Sequence, residues 1–257
     1  MSDGQTAQSL RGTVNALIAA KDVLGAWNIC ADALQQRGMV NIVYGATRVP
    51  TWGIIGDGKD ALVLYRGPQA YADIYLGEEL YRHSPTYEWA ETNSGYASWA
   101  EAVEQSKIVP TKEQMRIMQL NVEYGCLAGY VGGLNQLVPG MRGVVGISPG
   151  RNLTPAQTDA LWEKVGPDIQ MLCNLMHLRF ASLPQISQRR PLTSRQREAL
   201  TWCAQGKTMQ DVATIMQLSV ATVEKHLRLA REALDTQTTA HAVQKATSLN
   251  LLVETQT

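Results

Sequence analysis

Residues 70–85 read AYADIYLGEELYRHSP, which places Tyr71 and Tyr75 one helical turn apart, adds Tyr81 and closes on Ser84-Pro85. Side chains four apart share a helix face, and a tyrosine turned inward carries a hydroxyl that needs a partner. Two readings fit: aromatic packing in a core, or the wall of a pocket whose hydroxyls orient a small molecule. Catalysis is harder to assemble. His83 and Ser84 adjoin, but a triad needs a base placed by the fold and an acid to orient it, and the chain shows neither a nucleophile elbow nor a phosphate loop. No enzyme is expected. Cys30, Cys126, Cys173 and Cys203 stand far apart, with no CxxC pair and no histidine at ligand spacing, so they read as buried thiols; neither a metal nor a cofactor is expected.

The chain has 257 residues, enough for two domains or a large domain with a small module, and 45% apolar against 18% charged residues permits real cores. No apolar run is long enough to span a membrane, and MSDGQTAQSLRG lacks the features of a signal peptide, so a cytoplasmic protein without membrane contact is expected. Leu10, Val14, Leu17, Ile18, Leu24 and Trp27 recur at near-helical spacing over 7–36 and predict one or two helices. Short β-type runs follow at 39–46, 51–56 and 61–66, then a helix at 111–128, then YVGGLNQLV and MRGVVGIS. A last helix over 154–180 turns Leu161, Val165, Ile169, Leu172, Leu175 and Met176 inward. These elements predict an α+β protein whose N-terminal part, residues 1–182, is an α/β/α sandwich around a central antiparallel sheet. FASLPQISQRRPL, with two prolines and an arginine pair, supplies a linker at 183–191.

Zero formal charge hides an asymmetry. From Leu183 onward there are nine Lys and Arg against six Asp and Glu, net +3, and the residues before it are net −3. The module at 192–257 reads as four short helices. Thr193 with Gln196 and Thr208 with Asp211 form capping boxes, Ser219 caps the third helix, and Gly206 ends the first. In the third helix Val220, Val223, Leu227, Ala230 and Leu234 form a seam, while Thr222, Lys225, Arg228 and Glu232 face outward. Such a helix is built to enter a DNA major groove, although a helical bundle with a solvated charged face has the same pattern.

LTSRQREALTWCAQGKTMQDVATIMQLSVATVEKHL resembles the DNA-binding signature of LuxR-type transcription regulators, matching at Leu192-Thr193, Arg195, Glu198, Gly206-Lys207-Thr208, Ser219, Thr222-Val223 and His226. The resemblance implies a four-helix helix-turn-helix domain, double-stranded DNA with an inverted-repeat operator as partner, and a homodimer. The 10–36 helices and HAVQKATSLNLL offer apolar surface for that pairing. It further implies DNA contacts from Lys207, Thr208, Ser219, Thr222, Glu224, Lys225 and Arg228. Glu224 stands where some relatives place a base-reading arginine; a glutamate accepts from cytosine and repels phosphate.

In the same family's quorum-sensing receptors an N-terminal sandwich binds an acyl-homoserine-lactone signal through Trp, Tyr, Asp, Pro, Trp and Gly. Laid from Ser84-Pro85, those positions become Tyr71, Tyr75, Ser84, Pro85, Trp99 and Gly133. The resemblance implies an autoinducer pocket with Tyr71, Tyr75, Ser84 and Trp99, and with Thr86, Asn135 and Ser148 nearby. Tyr71 and Ser84 replace the tryptophan and aspartate that hold the lactone head, so the signal is either a lactone held differently or a related molecule without the amide. A ligand-independent regulator whose N-terminal domain serves only dimerisation is the alternative.

Overall fold

The computed structural model describes residues 9–48, 61–106, 110–185 and 191–252. The β-type run at 51–56 and residues 186–190 of the linker lie outside them. Ser9 caps α1 (Leu10–Ala19) by accepting from the Gly12 amide at 3.2 Å, and Asp22 caps α2 (Val23–Gln36) by accepting from Gly25 at 2.7 Å. The apolar run at 7–36 is therefore two helices. Then come β1 (Asn41–Thr47), β2 (Ala61–Arg66), α3 (Gln69–Tyr75), a 3-10 turn (Leu80–His83), α4 (Pro85–Thr92), β3 (Gly95–Ser98), α5 (Trp99–Ser106) and α6 (Lys112–Glu123). β4 (Tyr130–Gly133), β5 (Arg142–Ser148) and α7 (Pro155–Ser182) complete the first segment.

Among the described residues five strands form one antiparallel sheet in the order β2-β1-β5-β4-β3. β3 is a four-residue edge strand, GYAS, too short and too small to announce itself by alternation. Alternation along β1 and β5 sorts the faces. Ile42, Tyr44, Ala46, Val145 and Ile147 pack into a continuous core with Leu17, Trp27, Leu34, Ile169, Leu172 and Phe180 from α1, α2 and α7. Val144 and Val131 point the other way, into a smaller cluster with Ala90 and Ala102 from α4 and α5. The sandwich expected from the sequence is thus present, with unequal layers.

The second segment holds α8 (Ser194–Ala204), α9 (Met209–Met216), α10 (Val220–Leu234) and α11 (Thr239–Ser248). Thr193–Gln196 and Thr208–Asp211 are reciprocal capping boxes, and Gly206, at φ +79°, turns the chain after α8. Leu200, Val212, Val223, Leu227, Ala230 and Leu234 are buried together. Val220 departs from the expected seam: it is 37% exposed at the first turn of α10, ahead of the packed stretch. Ala242, Ala246 and Leu249, which the sequence offers as spare apolar surface, are buried inside the chain. The ends of α7 and α11 meet. Asn250 Nδ2 donates to the Ala181 carbonyl at 2.8 Å, and the Gln185 amide donates to Leu249 O at 3.0 Å. Arg48, just past β1, donates to Phe180 O and, at 3.1 Å, to Ser248 O.

His177 sits in the main core, fully buried, with Nδ1 2.8 Å from the Tyr44 hydroxyl and with no partner for Nε2. Gly143 makes room for it, since a Cβ there would come within 2.5 Å of the ring. Burial, with a smaller push from Arg48, lowers its pKa from 6.5 to about 4. The folded state therefore holds His177 neutral where the unfolded chain begins to take up a proton. Its contribution to stability is present above pH 6.5 and is lost as pH falls from there toward 4. Urea unfolding checks this: between pH 7 and 5 the protein should lose about 2 kcal/mol more than a His177→Gln variant, which keeps an acceptor for Tyr44. Equal losses would contradict it.

Candidate functional site

The thin side of the sheet contains a cavity of about 600 Å³, bounded by α3, the start of α4, α5, α6 and the 126–129 loop. Tyr71 and Tyr75 line it from α3, 8% exposed each, with ring centroids 5.3 Å apart. Tyr71 is stacked on Tyr65 at 6.1 Å and meets Tyr124 edge-on at 5.6 Å. Trp99 closes another wall, where its Nε1 donates to Tyr130 O at 3.1 Å. Gly129 lies against it so closely that a Cβ would be 2.6 Å from the indole. A second chamber of about 60 Å³ lies on the sheet itself, over Val43, Gly45, Val63, Val144 and Gly146, and shares Tyr75 and Thr86 with the first.

Ser84 lies between chain direction and chemistry. It occupies the N-cap position of α4, where serine usually accepts from a backbone amide, but here Pro85 follows and the side chain makes no cap bond. Its hydroxyl instead bonds Thr86 Oγ1 at 2.8 Å. Burial pushes the Tyr75 pKa up to about 12, partly offset by Ser84, and raises that of Tyr71 further. Both phenols stay neutral. No Lys, Arg or His lines the cavity among the described residues, and the two carboxylates that do, Glu104 and Asp159, are exposed. The chamber can orient a neutral molecule by hydrogen bonds and stack its flat part.

In the second segment α9 and α10 are joined by Gln217 in the left-handed conformation, φ +56°, whose amide satisfies the Ala213 and Thr214 carbonyls. Ser219 caps α10 through the Thr222 amide at 3.2 Å and also bonds the Thr222 hydroxyl at 2.8 Å. With Val223 and Leu227 buried, Glu224, Lys225 and Arg228 are exposed along α10, and Arg228 pairs with Glu232 one turn on. Lys207 and Thr208 are exposed at the start of α9. This is a helix-turn-helix with its second helix free to enter a groove.

The autoinducer binding domain family matches residues 23–180, and the luxR family of bacterial regulatory proteins matches residues 190–246. The chain belongs to the LuxR-type regulators with an autoinducer-binding domain. It is 29% identical over 198 residues to RpaR of Rhodopseudomonas palustris, described as a quorum sensing-dependent transcriptional regulator, covering 76% of this chain and 77% of RpaR. The transcriptional activator AnoR of Acinetobacter nosocomialis is 25% identical, covering 74% and 78%. Escherichia coli SdiA has the same fold, with a TM-score of 0.54, 17% identity and coverage of 95% and 98%.

Within this LuxR-type fold, Tyr71, Tyr75, Ser84, Thr86 and Trp99 come together around the cavity. Asn135 and Ser148 do not. Asn135 is a staple: its amide nitrogen donates to Ala90 O at 2.8 Å and Glu91 O at 3.2 Å, and its oxygen accepts from Gly143 N at 3.1 Å. Gly133 lets α4 approach there, since a Cβ would lie 2.1 Å from Asn93 O. Ser148, 1% exposed, donates to Ala128 O and accepts from Gly150 N. Asn121 of α6 lines the cavity and was not singled out from the sequence; the available signal was a polar residue four after Ile117, on the stripe that also carries Leu120 and Tyr124. Asn135→Ala should destabilise the protein by about 1–3 kcal/mol, because it strands three backbone groups. Chemical denaturation measures it, and a variant as stable as the parent would remove Asn135 from this role.

Proposed function

We propose that this LuxR-type regulator takes a small neutral signal into the cavity walled by Tyr71, Tyr75 and Trp99, and binds an inverted-repeat DNA operator as a cytoplasmic homodimer. The carrying observation is the 600 Å³ cavity, with its hydroxyls and aromatic walls, within the residues that match the autoinducer binding domain. Residues 1–182 form the signal and dimerisation domain, 183–191 the linker and 192–257 the DNA-binding domain. Its relatives are transcription regulators, in keeping with a protein that binds rather than catalyses. Among the described residues no helix is long and apolar enough to cross a membrane.

Two further features support the reading. Ile18, Leu24, Met171 and Leu178 are 41–57% exposed on α1, α2 and α7, apolar surface a second copy would cover. The strand that floors the small chamber with Val43 and Gly45 ends at Arg48, whose guanidinium bonds the end of α11. A signal that orders β1 and α3 therefore acts on a strand already joined to the DNA-binding segment.

Thr222, Glu224, Lys225 and Arg228 read or position DNA from α10, while Lys207, Thr208 and Ser219 fix the approach at the helix starts. Arg228→Ala should weaken binding to an operator selected from random duplexes by about 1–3 kcal/mol without unfolding the protein. Unchanged affinity in a gel-shift titration would take Arg228 out of the interface. At the other end of the molecule, Ser84→Asp places a carboxyl among neutral groups with no cation in the lining. Its melting temperature should fall below that of the parent at pH 7 and recover as pH is lowered and the carboxyl protonates. An unchanged melting temperature at pH 7 would show that position 84 tolerates charge.

A further inference from the structure

Resting on the reading of the protein as a dimer on an inverted repeat, the junction between α7 and α11 points to what sets the spacing of that repeat. Carbonyls in the last turn of a helix have no partner within it and carry the negative end of its dipole. Here two such ends converge. Phe180, Ala181 and Leu183 present carbonyls at the end of α7, and Ser248 and Leu249 present theirs at the end of α11. Bare and close together, these ends repel each other. Arg48, 9% exposed, lies between them, and its guanidinium donates to Phe180 O, to Leu183 O at 3.4 Å and to Ser248 O at 3.1 Å. A guanidinium is charged at every working pH and carries five donors and no acceptor, which suits a group of carbonyls.

A second tie comes from the α11 side. Asn250 Nδ2 donates to Ala181 O at 2.8 Å and to Leu183 O at 3.2 Å, and the Gln185 amide donates to Leu249 O at 3.0 Å. Arg48 is itself anchored to the sheet, because it follows Thr47, which is paired with Ala61 on one side and Arg142 on the other. Tyr44 of the same strand meets Phe180 edge-on at 5.2 Å. Sheet, α7 and α11 thus share one junction. It fixes an orientation that the covalent chain from Gln185 to Pro191 does not by itself set. The side chains that tie it lie outside α8, α9 and α10, and Lys207, Thr208, Glu224, Lys225 and Arg228 stay exposed. The junction therefore holds the DNA-binding segment without covering its reading face.

We propose that Arg48 and Asn250 are positioning residues for operator binding: by holding the end of α11 on the end of α7 they fix where α10 stands in each protomer, and so set the half-site spacing that the dimer accepts. Two extra base pairs between half-sites displace one of them by about 7 Å along the duplex and turn it by about 70°. A held segment cannot follow that movement; a released one can.

The experiment uses the full-length protein and an operator selected by it from random duplexes. Gel-shift titrations compare that operator with versions whose centre is two base pairs longer or shorter, and with a duplex that carries one half-site. The parent should lose tenfold or more in affinity on either altered spacing. Arg48→Met keeps the aliphatic stem and removes the donors, and Asn250→Gly keeps the left-handed turn, φ +55°, while removing the side-chain bonds. Each should bring the three spacings to within about threefold of one another, with single half-site affinity unchanged; a merely structural loss would weaken every duplex alike and leave the spacing ratio as in the parent. Should circular dichroism show Arg48→Met unfolded, Asn250→Gly decides. A parental spacing ratio in the folded variants, or a parent indifferent to spacing, overturns the positioning role and leaves the dimer reading standing. A parent that binds one half-site as tightly as the whole operator overturns the dimer reading as well.

Discussion

The inner end of the cavity admits only neutral groups. Burial raises the pKa of Tyr71 and Tyr75, and no cation among the described lining residues offsets a negative charge there. Serine at position 84 satisfies that condition where the family's aspartate would not, unless a ligand N–H accompanied the acid into the site. The Ser84–Thr86 hydroxyl pair and the Tyr71–Asn121 hydrogen bond stand at that end. Both pairs join uncharged groups, so neither needs a counter-ion.

The cavity lies where it does because the sheet has unequal faces. On the α7 side Tyr44, Ile42, Val145 and Ile147 fill the space between strand and helix, and even His177 is accommodated only over a glycine. On the other side the same strands expose Gly45 and Gly146, and a Cβ added at Gly45 would meet nothing within 4 Å. Register makes this arrangement rigid: a slip of one residue between β1 and β5 would send Tyr44 into the cavity and Gly45 into the core. The well-packed layer thus holds the floor still while α3 to α6 supply the walls.

Much of this was legible in the sequence, and the omissions have physical reasons. The i,i+4 spacing of Tyr71 and Tyr75, the capping boxes of α8 and α9 and the outward Lys225 and Arg228 are local patterns, set by geometry within one element, and the structure shows them as written. Asn135 and Ser148 were placed by correspondence of position, which says nothing of side-chain direction; both turn to backbone groups rather than the cavity. Asn121 depends on a contact across fifty residues of chain and has no local signature beyond its place on an apolar stripe. Val220 obeys the helical period, yet periodicity does not say how far along a helix its neighbours reach.

The central claim is that occupancy of the Tyr71–Tyr75–Trp99 cavity governs the DNA-bound form. Native mass spectrometry of the full-length protein on an operator selected from random duplexes tests it most directly. The account requires one small neutral molecule per chain in the DNA-bound dimer, and loss of that complex when a Tyr75→Ala variant arrives without the molecule. Tight operator binding by dimers that carry no small molecule would contradict it, leaving the N-terminal domain as a dimerisation device alone.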